Sequence, residues 1–178
     1  MPNCLRLITT LGALLSCALT HSASATPVSD KPSFPTLIYW DNWTDKQGVS
    51  HLTKCKLSAF RQTPSIAGED KVWAGTEHTG MATVITKVQP PKWKGGWSET
   101  RQVQWVVPLS GTYFVQAMDG TSVELNAGDM LLSEDQNSVR DHDGHVGHLS
   151  GNVGDDAVAL MITQFANARA SHIQCDRP

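Results

Sequence analysis

The sequence predicts an all-β fold, a sandwich or barrel of short strands, and three observations carry that expectation. From residue 82 onward, runs of β-branched and apolar residues recur at short intervals. Turn signals separate them, at Ser110-Gly111, Asp119-Gly120, Asn126-Ala-Gly-Asp129 and Gly154-Asp155. The last run, residues 157–165, is mostly apolar and suits a buried strand.

Taken in order, residues 26–35 hold three prolines and read as an extended arm. Residues 37–40 form a short strand candidate. Residues 41–75 are irregular, with turn residues at Pro64, Gly68 and Asp70, so 26–81 is read as an N-terminal arm and irregular extension. The β-branched run 82–88 is a strand, broken by Pro90-Pro91-Lys-Trp-Lys-Gly95-Gly96. Strands follow at 103–109, 112–118, 122–125 and 130–133. A polar loop over 134–147 leads to a strand at His148, and 157–165 completes the set. Residues 166–172 are expected to form a short C-terminal helix, in a tail (166–178) that ends the chain after Cys175.

A chain of 178 residues suits one domain with a sizeable core. Charged residues make up 17% and the formal net charge is −3, with Lys and Arg scattered, so nothing points to nucleic acid. The six tryptophans, Trp40, Trp43, Trp73, Trp93, Trp97 and Trp105, leave two readings open. They serve core and rim packing, or they form an aromatic wall for a flat or sugar-like ligand.

Residues 1–25 read as a secretory signal peptide. Arg6 closes a short positive region, residues 7–19 are apolar, and Ala23-Ser24-Ala25 fits the small-x-small cleavage rule. The apolar stretch is too short to span a bilayer as a retained helix. The expected location is therefore secreted or periplasmic, with a lipid anchor through Cys17 as the alternative, since Leu14-Leu15-Ser16-Cys17 loosely resembles a lipobox. Removal of Cys4 and Cys17 with the leader leaves Cys55 and Cys175 as a disulfide pair in an oxidising compartment. Closing a loop of that size contributes roughly 4–5 kcal/mol in the chain-entropy view. Free thiols acting as ligands or nucleophiles are the other reading. Asn42-Trp43-Thr44 is a glycosylation sequon.

Six short pieces stand in order along the second half: Arg101-Gln102, Leu109-Ser-Gly111, Gly128-Asp129, Leu132-Ser-Glu134-Asp135, Gly147-His148 and Asn152-Val-Gly-Asp155. Over 82–165 they resemble the small single-domain cupins, whose motifs run G-x5-H-x-H-x3,4-E-x6-G and G-x5-P-x-G-x2-H-x3-N. The resemblance implies a cupin-type jelly-roll β-barrel. It also implies the positions of the metal ligands that such barrels carry. Counting back from Gly111, those positions fall on Gln104, Thr100 and Ser98, while His148-Leu-Ser-Gly-Asn152 matches H-x3-N. Only His148 is a ready ligand; two hydroxyls and a neutral amide are poor donors for a first-row divalent ion. The expectation is therefore no cofactor, with a divalent metal left as the alternative. A relocated site would draw on His142, His145 and His148, with Glu99 as a carboxylate, although a solvated loop explains the same residues.

If the strand is regular, Ser98, Thr100, Gln102 and Gln104 share one face, with Trp97 at the mouth and Trp105 turned to the opposite side. The expected ligand-binding set is thus Trp97, Ser98, Thr100, Gln102, Gln104 and His148. Two functions remain open: a binding protein for a small organic ligand, and a metal-independent isomerase, lyase or cyclase. In the second, His148 is the acid/base and Gln104 polarises an oxygen. A metal-dependent oxygenase with moved ligands is a third. Glu134-Asp135 reads as a turn or cap, and Ser110 sits in no nucleophile elbow. Pairing into a homodimer through β surfaces is an option that the resemblance carries.

Overall fold

The structure, a computed structural model of the 178-residue chain, describes residues 36–63, 72–75, 79–168, 170 and 175. The expected leader, residues 1–25, therefore lies outside the described residues. The described chain forms β1 (Leu37–Thr44), β2 (Ser50–Leu57), β3 (Arg61–Gln62), β4 (Trp73–Ala74), β5 (Ala82–Gln89) and β6 (Gln104–Ser110). There follow β7 (Thr112–Ala117), β8 (Ser122–Leu125), β9 (Leu131–Glu134), β10 (His148–Val153) and β11 (Val158–Phe165). One sheet has the order β2-β1-β9-β6-β11-β5 and a second has the order β10-β7-β8; β3 and β4 pair separately. Every pairing is antiparallel except β1 with β9.

The alternation of side chains along these strands builds one core between the two sheets. Leu131, Val106, Leu160 and Leu52 from the six-stranded sheet meet Val115, Ala117, Val123 and Leu125 from the three-stranded one. Each fully buried leucine, such as Leu125 or Leu160, contributes about 2 kcal/mol of burial. The tight link between β6 and β7 depends on Gly111, whose φ is +72°. A Cβ there would stand 2.7 Å from the Ala157 carbonyl oxygen. The expected all-β fold is observed, as two facing sheets, and strands from residue 82 onward fall within a residue or so of their expected bounds.

Two expectations are corrected. Residues 41–57 are not irregular: the strand expected at 37–40 runs on to Thr44 as β1, inside the large sheet between β2 and β9, and β2 forms its edge. The pattern was obscured because β2 carries Ser50 and two lysines on its inward-pointing side, so apolar residues do not alternate with polar ones. The C-terminal helix does not start at residue 166. Ala166 and Asn167 make a turn, Asn167 with φ +62°, and a left-handed residue there ends helical propagation. Residues 171–174 lie outside the described residues. The expected disulfide is formed between Cys55 and Cys175, with Cα atoms 5.5 Å apart and a sequence separation of 120.

Candidate functional site

The site is assembled where the start of β10 meets the end of β9 and the middle of β1. Gly147 delivers the chain into β10 with φ +66°, and only a residue without a side chain fits. A Cβ at this point would lie 2.4 Å from the Ser98 carbonyl oxygen and from Glu99 Cα. That close approach lets Ser98 and His148 exchange two backbone hydrogen bonds, each 3.0 Å, so the segment before β6 runs along β10. His148 is thereby held with its side chain only 12% exposed.

A buried polar network fixes the imidazole. Its Nδ1 lies 2.7 Å from Oδ2 of Asp135, a residue with no exposed surface. Because a carboxylate only accepts, Nδ1–H is the donor and Nε2 is left as an unprotonated acceptor in the neutral ring. Asp135 Oδ1 accepts from the Thr100 backbone N–H at 3.0 Å and from Ser133 Oγ at 3.4 Å. Thr100 Oγ1 and Ser133 Oγ are 2.6 Å apart, and Asn42 Nδ2 donates to Ser133 Oγ at 3.3 Å. Asn42 Nδ2 is also 3.3 Å from His148 Nδ1. Burial alone would raise the Asp135 carboxyl; the hydrogen bond and charge of His148, with the Thr100 bonds, outweigh it and hold the group below the ordinary carboxylate value.

His148 opens onto a cavity of about 450 Å³ between the sheets. Ser98, Thr100, Gln104 and Tyr113 share its lining with His148. Gln104 Oε1 accepts from Gln164 Nε2 at 3.0 Å. Tyr113 is pushed above the usual phenol value by burial, which outweighs a Ser150 hydrogen bond, and the nearby Asp135 charge adds to the rise. It stays a neutral donor at physiological pH. A polar cavity with one oriented imidazole can bind a small molecule and can take or give a proton at Nε2.

Of the residues expected at the site, Ser98, Thr100, Gln104 and His148 do line this cavity, while Trp97 and Gln102 are not among its lining. Residues 98 to 104 are not one regular strand. β6 starts only at Gln104, and a bend at 101–102 leaves Gln102 exposed. The Asp135 bond to the Thr100 N–H pins the backbone ahead of that bend. Trp97 instead stacks on His145, with ring centroids 4.4 Å apart. Trp105 faces away from the cavity against Tyr39, as its alternation with Gln104 requires. Of the six tryptophans, Trp93 alone is among the cavity lining.

The residues at the cupin ligand positions do not suit a metal. Thr100 Oγ1 and Gln104 Oε1 are neutral oxygens already engaged with Ser133 and Gln164, which leaves His148 Nε2 as the one ready donor at these positions. Nor do the three loop histidines converge. His142 is 89% exposed beside Asp143, His145 pairs with Asp141, and His148 points inward to Asp135. Asp141, Asp143 and His145 do cluster, but on the loop rather than in the cavity.

Sequence reasoning missed Asp135, Ser133 and Asn42. In the sequence Asp135 reads as a turn or cap, and its Leu-Ser-Glu-Asp context is the one available signal. Asn42 of the Asn-Trp-Thr sequon is fully buried, which leaves no room for a glycan in the folded barrel.

No family model and no curated protein sequence matches the chain. Among solved structures it is similar to a cupin domain from Bordetella pertussis Tohama I, with 17% identity, a TM-score of 0.37, and coverage of 61% of this chain and 94% of that one. It is also similar to a cupin protein from Bacteroides fragilis, at 21% identity and TM-score 0.35, covering 68% and 98%. A protein from Neisseria meningitidis shows 11% identity and TM-score 0.33, covering 51% and 89%. The fold is an all-β barrel of two facing sheets, and its cavity holds an Asp-supported histidine.

Proposed function

We propose that the protein is an exported cupin-like protein that binds a small polar organic molecule in the barrel cavity, with His148 as the principal polar contact. The observation that carries this reading is the fixed imidazole: Asp135 takes Nδ1–H at 2.7 Å, so Nε2 is reserved for a guest in a 450 Å³ cavity. The test is a fragment screen read by NMR on the His148 ring. Fragments that shift its Cε1–H resonance in the wild type and lose affinity in His148→Gln support the reading. A screen in which no fragment perturbs that ring would sink it.

A second reading is favoured by the burial of Asp135. A buried carboxylate beside an imidazole fixes its tautomer and stabilises the imidazolium formed on proton uptake, which simple binding does not require. In this reading the protein is a metal-independent isomerase, lyase or cyclase, with His148 as acid/base and the Gln104 amide N–H polarising a substrate oxygen. Retained binding with lost turnover in His148→Gln would establish it; unchanged turnover would exclude that role.

Export rests on the leader-like residues 1–25 and on a disulfide, which persists in oxidising compartments. N-terminal sequencing of protein from the native host should begin near Thr26; a start at Met1 would overturn export by this route.

A further inference from the structure

Granted the small-molecule reading above, we infer that the ligand is a small hydroxylated carboxylate, an organic anion bearing hydroxyl groups. Two cations line the cavity, Lys87 and Arg101, against one lining carboxylate on its rim, Glu99. Neither cation makes an ion pair among the described residues. Lys87 lies on the inward-facing side of β5, opposite Leu160, where its Nζ is held 5.4 Å above the Trp93 ring. A cation seated this way keeps its N–H donors for an anion arriving from the cavity.

An independent observation points to a hydroxyl. Gln89, next inward-facing on β5, is 2% exposed and lines the same cavity, and its Oε1 has no hydrogen-bond partner. Buried amide oxygens are ordinarily satisfied, so a small turn of this side chain toward the cavity would let a ligand hydroxyl donate to it. Further along, Gln164 Nε2 is committed to Gln104 Oε1, which leaves the Gln104 N–H groups to donate and the Gln164 carbonyl to accept. A hydroxyl answers both needs, since it donates and accepts. An uncharged polyol leaves Lys87 and Arg101 unused, and a fatty acid leaves Gln89 unanswered; a hydroxylated carboxylate serves all of them.

The experiment is calorimetric titration of the purified protein with three probes: gluconate, sorbitol and hexanoate. Gluconate carries charge and hydroxyls, sorbitol the hydroxyls only, hexanoate the charge only. The expected result is gluconate binding, with both other probes weaker by about tenfold or more. Lys87→Met and Arg101→Met alter exposed side chains and should each weaken gluconate about fivefold or more while leaving sorbitol unchanged. Gln89→Leu should weaken gluconate and sorbitol alike; its fold is checked by circular dichroism. Sorbitol or hexanoate binding as tightly as gluconate, no gluconate binding, or gluconate affinity unchanged in the Lys87/Arg101 double variant overturns the assignment. The fragment screen on His148 separates the two levels. If fragments shift that ring while gluconate fails, only the ligand class falls; if nothing reaches the ring, the cavity reading falls with it.

Discussion

Asp41 and Asn42 are neighbours on β1 yet belong to opposite faces of the large sheet. Asn42 points into the barrel, where its amide reaches Ser133 and His148. Asp41 points the other way, 2% exposed, and hydrogen-bonds Glu134 of the adjoining β9. One strand thus supplies a member of the inner network and a member of a buried carboxyl pair behind it. The two faces titrate in different directions, and that separates their contributions to stability.

Burial, partly offset by the Glu134 hydrogen bond, pushes Asp41 up from 3.8 to about 7. A carboxyl that holds its proton more tightly folded than unfolded loses stability as pH rises from near 4 through about 7. Asp41→Asn removes the ionisation and should stabilise the protein at pH 8 by on the order of 2 kcal/mol, roughly 4–8 °C in Tm. At pH 4 the gain should vanish. Thermal melts of both proteins at the two pH values check this; an equal shift at both would exclude the mechanism.

Asp135 has the reverse sign. Its folded carboxyl is held low, so its contribution is present above the unfolded carboxylate value and fades as pH falls through the folded one. Asp135→Asn should cost about 3 kcal/mol, because it breaks a buried pair. It should also move the His148 proton between ring nitrogens, visible as exchanged Nδ1 and Nε2 shifts in ¹⁵N spectra. An unchanged tautomer would show that Asp135 does not orient the ring.

His51 bridges Asp45 at 3.0 Å and Asp119 at 2.7 Å, tying β2 to the turns on either side of it. Burial tends to lower its pKa, yet the two carboxylates together raise it above 6.5. The sign is then fixed: this contribution is full below 6.5 and is lost as pH rises through the higher folded value. Melts of His51→Gln between pH 5 and 9 should lie closest to wild type at the alkaline end. A constant offset across that range would count against the bridge.

Gly147→Ala places a Cβ against the Ser98–Glu99 backbone at φ +66° and should cost about 2–3 kcal/mol. Because the same approach sets the Ser98–His148 bridge, ligand affinity should fall with stability. Gly120→Ala, also at positive φ but with nothing within 4 Å, should cost less and leave the site intact. Equal effects of the two would mean that crowding at Gly147 is unimportant.

Much of this molecule was legible from residue 82 onward, because turns such as Asp119-Gly120 and runs such as 157–165 carry local signals. His148 was legible for the same reason, in a short ordered motif. β2 was not, since its register depends on β1 across a hairpin and its inward positions include Ser50 and Lys54. Asp135 was hidden by distance: its partners Thr100 and His148 lie 35 and 13 residues away. Gln102 falls outside the cavity because even spacing does not carry through the bend at 101–102, which no local residue signal marks.

The bond from Cys55 to Cys175 turns the chain from the end of β2 to the tail into a covalent loop, with β1 as a free end laced between β2 and β9. Cleavage of a peptide bond anywhere in 58–81 therefore opens the loop without releasing a piece. A nicked molecule should migrate as one species until reducing agent is added, and only then part into two.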